Sequence, residues 1–127
     1  MGMNNSRNFD LLTLGQVLLR LSPPDNERLS RGDTFVKQVG GAELNVAVGA
    51  ALLGLHTGVI SKLPAHDIGS FMKGKIRSFG VSDDFFMYDQ SSSARVGIYY
   101  YENGAYPRKP KVIYDRNNSS FFSLNID

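Results

Sequence analysis

A strand that runs into a glycine pair and emerges as a helix is the feature that most constrains this chain: Val39-Gly40-Gly41-Ala42-Glu43-Leu44-Asn45-Val46-Ala47. Adjacent glycines let a backbone turn sharply and let another group approach it closely. Beyond them Leu44, Ala47, Val48, Ala51 and Leu52 recur at helical spacing with almost no charge, which predicts a well-buried helix over residues 42–53. Gly54 suits its C-terminal cap, with Leu55 as the accompanying apolar contact.

Elements of the same two kinds surround it. Residues 11–14 (Leu-Leu-Thr-Leu) form a nearly continuous apolar run, as in a strand buried on both faces of a parallel sheet. Residues 58–63 and 85–88 read as further strands. Between these two, Ile68, Phe71, Met72, Ile76 and Phe79 share one helix face, with Asp67 as N-cap and Gly80 as the stop. Alternating strands and helices imply right-handed crossovers on a parallel sheet, the α/β class.

The last third differs. Residues 95–101 and 111–116 are strand-like with no helical pattern between them, which predicts a hairpin with a long loop. Together with residues 17–21 and 34–39 they are expected to form a small separate sheet. Residues 1–8 are polar and expected to fray. After Arg116 the sequence Asn-Asn-Ser-Ser-Phe-Phe-Ser-Leu-Asn-Ile-Asp resembles no closing element, so the chain reads as truncated, with a bare edge on its parallel sheet.

Composition excludes several classes of function. There is no cysteine, hence no disulfide or thiolate metal site. Hydrophobic residues at 42% and charged residues at 20% suit a globular domain; no signal-peptide layout or membrane-length apolar run is present, so a cytoplasmic location is expected. The net charge is +2 and only residues 108–111 (Arg-Lys-Pro-Lys) cluster basic groups, so a solvated loop is expected there and no nucleic-acid surface. His56 and His66 lack ligand spacing and are expected to be solvent-exposed, with no metal bound.

Two groups of residues carry chemistry. Gly41 and Asn45 stand at a helix start, where free amides, a partial positive charge and a side-chain amide can meet a ligand hydroxyl; a plain glycine turn into a core helix is the equal alternative. Strand alternation puts Tyr114 and Arg116 on one face, and separates Tyr99 from Ile98 and Tyr100. Arg is the best bidentate partner of a carboxylate, and Tyr offers a flat apolar face with a hydroxyl. Sheet packing for the tyrosines and a surface ion pair for Arg116 are the alternatives.

The segment Gly40-Gly41-Ala42-Glu43-Leu44-Asn45 resembles the first signature of the ribokinase-like (PfkB) carbohydrate kinases: paired glycines, an Asn about four residues on, then small residues along a buried helix. Leu12-Thr13-Leu14-Gly15-Gln16 resembles that family's first strand, and Lys62-Leu63-Pro64-Ala65-His66-Asp67-Ile68-Gly69 is similar to its Gly-x-Asp-x-x-Gly turn. Within the family, residues 18–24 and 112–116 look most like 2-keto-3-deoxygluconate kinases.

The resemblance implies part of a doubly wound ribokinase-like sheet with a small β-sheet lid, residues 1–127 forming the N-terminal sugar-binding portion. It implies a parent that phosphorylates a sugar acid with ATP and Mg, a sugar pocket at Gly41, Asn45, Tyr99, Tyr114 and Arg116, and homodimerisation through the lid, where Val96, Ile98 and Tyr100 would form the apolar face. The family's catalytic Gly-Ala-Gly-Asp run is missing, so no catalytic residue is assigned; this chain alone is expected to bind no ATP and to be inactive. Gly32-Asp33 resembles the end of that run only superficially and reads as a surface turn. Gln16 stands where relatives usually carry an acid, and residues 92–95 (Ser-Ser-Ala-Arg) where they often carry another. The rival readings are a sibling kinase for fructose, ribose or a nucleoside, a non-catalytic sugar-binding or dimerising module, and a generic nucleotide-binding domain.

Overall fold

The computed structural model describes residues 8–124, so the expectation for the first seven residues and the end of the final segment lie outside the described residues. Among the described residues there are two sheets, two α-helices and one 3-10 turn (Ser120–Ser123), which packs on the central strand of the parallel sheet. Strands β1 (Leu11–Leu14), β4 (Thr57–Pro64) and β5 (Phe86–Asp89) form a parallel sheet in the order β1-β4-β5. Strands β2 (Leu18–Ser22), β3 (Val36–Gly40), β6 (Ile98–Glu102) and β7 (Lys111–Asp115) form a mixed sheet in the order β3-β2-β6-β7. There β2 pairs with β3 and β6 with β7 antiparallel, while β2 and β6 run parallel. Helix α1 (Ala42–Leu52) packs on β1 and β4, and α2 (Asp67–Ser78) on β4 and β3.

The core lies between the parallel sheet and these helices. Leu63, Val59, Met72, Ile76 and Ala47 are fully buried, and Leu44 and Leu19 nearly so. The apolar face of α2 meets the core through Met72 and Ile76, with Ile68 and Phe71 packed beside them. Lys37 of β3 lies 4.3 Å above the Phe71 ring, which joins α2 to the mixed sheet. At the end of α1, Gly54 at φ +92° donates its N–H to the Ala51 carbonyl, and the Leu55 N–H reaches the Ala50 carbonyl. That pair of bonds is a Schellman closure.

Several expectations are corrected. Helix α1 is buried along one stripe only: Leu52 is 79% exposed and Val46 57%, because no described element covers its outer flank. Leu12 and Leu14 of β1 are likewise exposed, whereas β4, paired on both edges, carries the continuous burial expected of a central parallel strand. The N-cap of α2 is His66, not Asp67: His66 Nδ1 accepts the Ile68 N–H at 3.3 Å. His56 is not free in solvent; its ring stacks on Phe9 at 4.1 Å. Val96 is buried and Ile98 packs on the core, so neither is open to a second subunit.

Nor is Arg108 a solvated loop residue. It donates from Nη2 to the Asn26 carbonyl at 2.7 Å and lies 3.6 Å from the buried Glu102 carboxylate. Glu102 also accepts the Leu29 N–H at 2.8 Å. That backbone bond, helped by Lys111 and Arg108, holds the Glu102 carboxyl below its ordinary value despite burial. One carboxylate thus ties the β2–β3 loop to the β6–β7 loop.

A second carboxylate ties the two sheets. Asp89, at the end of β5, accepts the Ser120 hydroxyl at 2.7 Å and the Ser91 N–H at 3.0 Å. Ser120 also accepts the Arg95 N–H and donates its own N–H to the Arg95 carbonyl at 2.8 Å, joining the chain on either side of β6 and β7. The hydrogen bonds from Ser120 and then Ser91 hold Asp89 at about 2, down from 3.8. A depressed carboxylate stabilises the fold fully above its unfolded value of about 3.9 and stops doing so as pH falls through the folded value. The thermal midpoint should therefore drop as pH is lowered from about 4 to about 2, with Glu102 contributing in the same direction. Ser120→Ala should flatten the drop by a calorimetric pH series; identical slopes in wild type and variant would exclude Asp89 as its source.

Candidate functional site

The junction between β3 and α1 organises the site. Gly41 has φ +126°, a conformation that L side chains rarely adopt, and a Cβ there would lie 2.7 Å from the Gln16 carbonyl oxygen. The turn places the first turn of α1 beneath the mixed sheet. Asn45 sits in that turn, its N–H donating to the Gly41 carbonyl at 2.9 Å and its side chain exposed. Gly40 makes room of a different kind: a side chain there would meet the Tyr99 ring and hydroxyl and force Tyr99 to shift.

Tyr99 reaches that position from β6. Its cross-strand partner on β7 is Tyr114, with ring centroids 5.9 Å apart. Arg116, just past β7, lays its guanidinium over the Tyr114 ring at 5.2 Å. Among the described residues no carboxylate lies within ion-pairing distance of Arg116, so its charge has no partner of the surface kind. Gly41, Asn45, Tyr99, Tyr114 and Arg116 line one open cleft of about 290 Å³, together with Leu18 and Ala42. The arrangement offers hydroxyl-binding groups on one wall, two aromatic faces on the other and a cation at one end. It suits a small polyhydroxylated anion.

The cleft continues past Arg116 into a second space of about 480 Å³, bounded by Gly15, Gln16, Glu43, Phe121 and Phe122. Leu18, Gly41, Ala42 and Arg116 line both. Gln16 bonds through Nε2 to the hydroxyl of buried Ser119. A glutamine donates here where a carboxylate would only accept. The altered residues 92–95 bring in Arg95, which pairs with Asp115 at 3.2 Å.

Sequence patterns did not single out Leu18, Gln16 as an anchor, or Glu43. Leu18 looks like any strand residue, and Glu43 like any first-turn acid. Only the crossing of the β1–β2 turn under Gly41 places them on the cleft wall. Among the described residues no group of three or more His, Cys, Asp or Glu comes together, and no helix is long and apolar enough to cross a membrane.

Comparison with known proteins identifies the family of the chain. The family model for pfkB family carbohydrate kinases matches residues 8–125. The chain is 39% identical over 118 residues to a 2-dehydro-3-deoxygalactonokinase of Haloferax volcanii, covering 93% of this chain and 36% of that one. It is 32% identical over 123 residues to 5-dehydro-2-deoxygluconokinase 1 of Bacillus cereus, covering 96% and 36%. The solved 2-dehydro-3-deoxygluconokinase of Thermotoga maritima superimposes with a TM-score of 0.84 at 40% identity, over 91% of this chain and 34% of its own. This chain therefore spans about a third of the length of the relatives it matches. With the family model matching every described residue, and with the α/β fold shared, this chain belongs to the pfkB family of carbohydrate kinases.

Proposed function

We propose that this chain is the acceptor-sugar-binding and lid portion of a kinase that phosphorylates 2-keto-3-deoxygluconate or a similar sugar acid. The observation that carries the reading is the convergence of Arg116, Tyr114, Tyr99, Asn45 and Gly41 on one cleft. Arg116 binds the carboxylate, the tyrosines cover the carbon chain, and Asn45 and the Gly41 backbone meet hydroxyls. The relatives named above are kinases of dehydro-deoxy gluconate or galactonate, which supports an acid over a neutral hexose. The mixed sheet acts as the lid, because Tyr99, Tyr114 and Arg116 all stand on or beside its strands.

ATP and Mg belong to the whole kinase. In it the donor supplies the phosphoryl group, while these residues bind and orient the acceptor. The 127 residues contain no Gly-Ala-Gly-Asp run to supply a base and phosphate-holding amides. A coupled ATP-consumption assay with 2-keto-3-deoxygluconate should read as blank for this chain; turnover that co-purifies with it would refute that reading.

Titration calorimetry tests the site. Losing one charge-assisted hydrogen bond costs about 1.5 kcal/mol, or roughly tenfold, the lower end applying because Arg116 is exposed. Arg116→Ala should weaken 2-keto-3-deoxygluconate by that factor and barely change fructose. Asn45→Ala should weaken both. Equal losses for acid and neutral sugar in Arg116→Ala would make the arginine structural.

The same reading includes self-association through the lid. With Val96 and Ile98 turned to the core, the available apolar surface is Phe35 and Ile113, 48% exposed each, beside Tyr100. Light scattering should report a dimer that Ile113→Lys disrupts; a wild-type monomer at high concentration would end the proposal.

A further inference from the structure

The second space beside the sugar cleft contains one charged group that the reading above leaves without a role. Glu43 stands in the first turn of α1, after the Gly41 N-cap. Its carboxylate folds back over the end of β1, close enough that any side chain at Gly15 would collide with it. It is not held by a cation: among the described residues no Lys, Arg or His pairs with it. Among the described residues no hydrogen bond engages its side chain either; outside the helix ladder, its backbone carbonyl accepts the Thr13 hydroxyl at 3.1 Å. A carboxylate with free lone pairs thus faces the same space as Arg116, across Gly41 and Ala42.

The two charges are of opposite sign along one continuous cleft. Arg116 lines both of its parts, Glu43 only the second. A carboxylate accepts hydrogen bonds and cannot donate them. It therefore welcomes hydroxyl groups and repels a second anion.

We propose that Glu43 is a specificity-determining residue of this site: it accepts hydroxyls of the bound sugar acid at the part of the cleft beyond Arg116 and rejects an acid group there. The proposal rests on the sugar-acid reading given above and adds a direction to it. The ligand keeps its carboxylate at Arg116 and its carbon chain under Tyr99 and Tyr114, and hydroxyls on its Gly41–Ala42 side, the wall both parts of the cleft share, reach toward Glu43. A polyhydroxylated monoacid is accepted, and a dicarboxylic sugar of the same length is refused.

The experiment is a ligand-observed NMR titration of the 127-residue chain with 2-keto-3-deoxygluconate, its dicarboxylate counterpart 2-keto-3-deoxyglucarate, and fructose. Wild type should favour the monoacid over the diacid. Glu43→Gln keeps size and removes charge, and should shift the ratio toward the diacid by roughly two- to fivefold, the range for exposed charge pairs. Glu43→Asp keeps the charge and should keep the discrimination, which separates a charge effect from a change in helix stability. Arg116→Ala should weaken both acids together and leave their ratio unchanged. An unchanged ratio in Glu43→Gln, with the monoacid still bound, overturns the role of Glu43 and leaves the sugar-acid reading standing. Failure of wild type to bind either acid overturns both.

Discussion

The cleft depends on the close approach at Gly40 and Gly41. The Tyr99 hydroxyl occupies the space that a Gly40 side chain would fill, and the Gln16 carbonyl oxygen occupies the space a Gly41 side chain would fill. Three separate stretches of chain therefore meet within van der Waals contact: the β1–β2 turn, the β3–α1 turn and the middle of β6. Interiors are packed too tightly to leave such a junction loose. The crossing sets the mixed sheet above the N-terminus of α1, and so defines the cleft.

Polar contacts then fix the two sheets in place. Gln16 meets Ser119, and Asp89 meets Ser120, which also holds the Arg95 backbone. These bonds join the carboxyl ends of β1 and β5 to the segment that follows β7. Farther out, Glu102 and Arg108 lock the two long loops of the mixed sheet to one another. The mixed sheet is thus a braced unit, tied to the parallel sheet at a few points.

The site combines a helix start, an aromatic pair and two opposite charges. No single element supplies it: α1 and its N-cap bring Gly41, Glu43 and Asn45, β6 brings Tyr99, and β7 and its exit bring Tyr114 and Arg116. In an open α/β sheet, ligands bind outside the carboxyl ends of the strands, and this cleft lies beside the carboxyl end of β1 at Gly15. Membership in the pfkB carbohydrate kinases accords with that position, while the choice of a sugar acid rests on Arg116 and on the relatives' names.

The sequence by itself determined the order and kind of the elements, because period-2 and period-3.6 apolar patterns are local properties read within a single segment. It also determined the glycine junction, because two adjacent glycines mark a tight turn wherever they fall. Burial was legible only for β4, α2 and one stripe of α1, since Leu12, Leu52 and Val46 look apolar whether or not anything packs against them. His56 against Phe9, His66 as a cap, and Arg108 against Glu102 depended on neighbours distant or indistinct in the sequence. The tertiary structure alone decided that Tyr99, Tyr114, Arg116 and Asn45 share a cleft, and that Glu43 faces its extension. The reason is physical: alternation along a strand says which side chains share a face, but only the packing of one sheet on another says what that face looks upon.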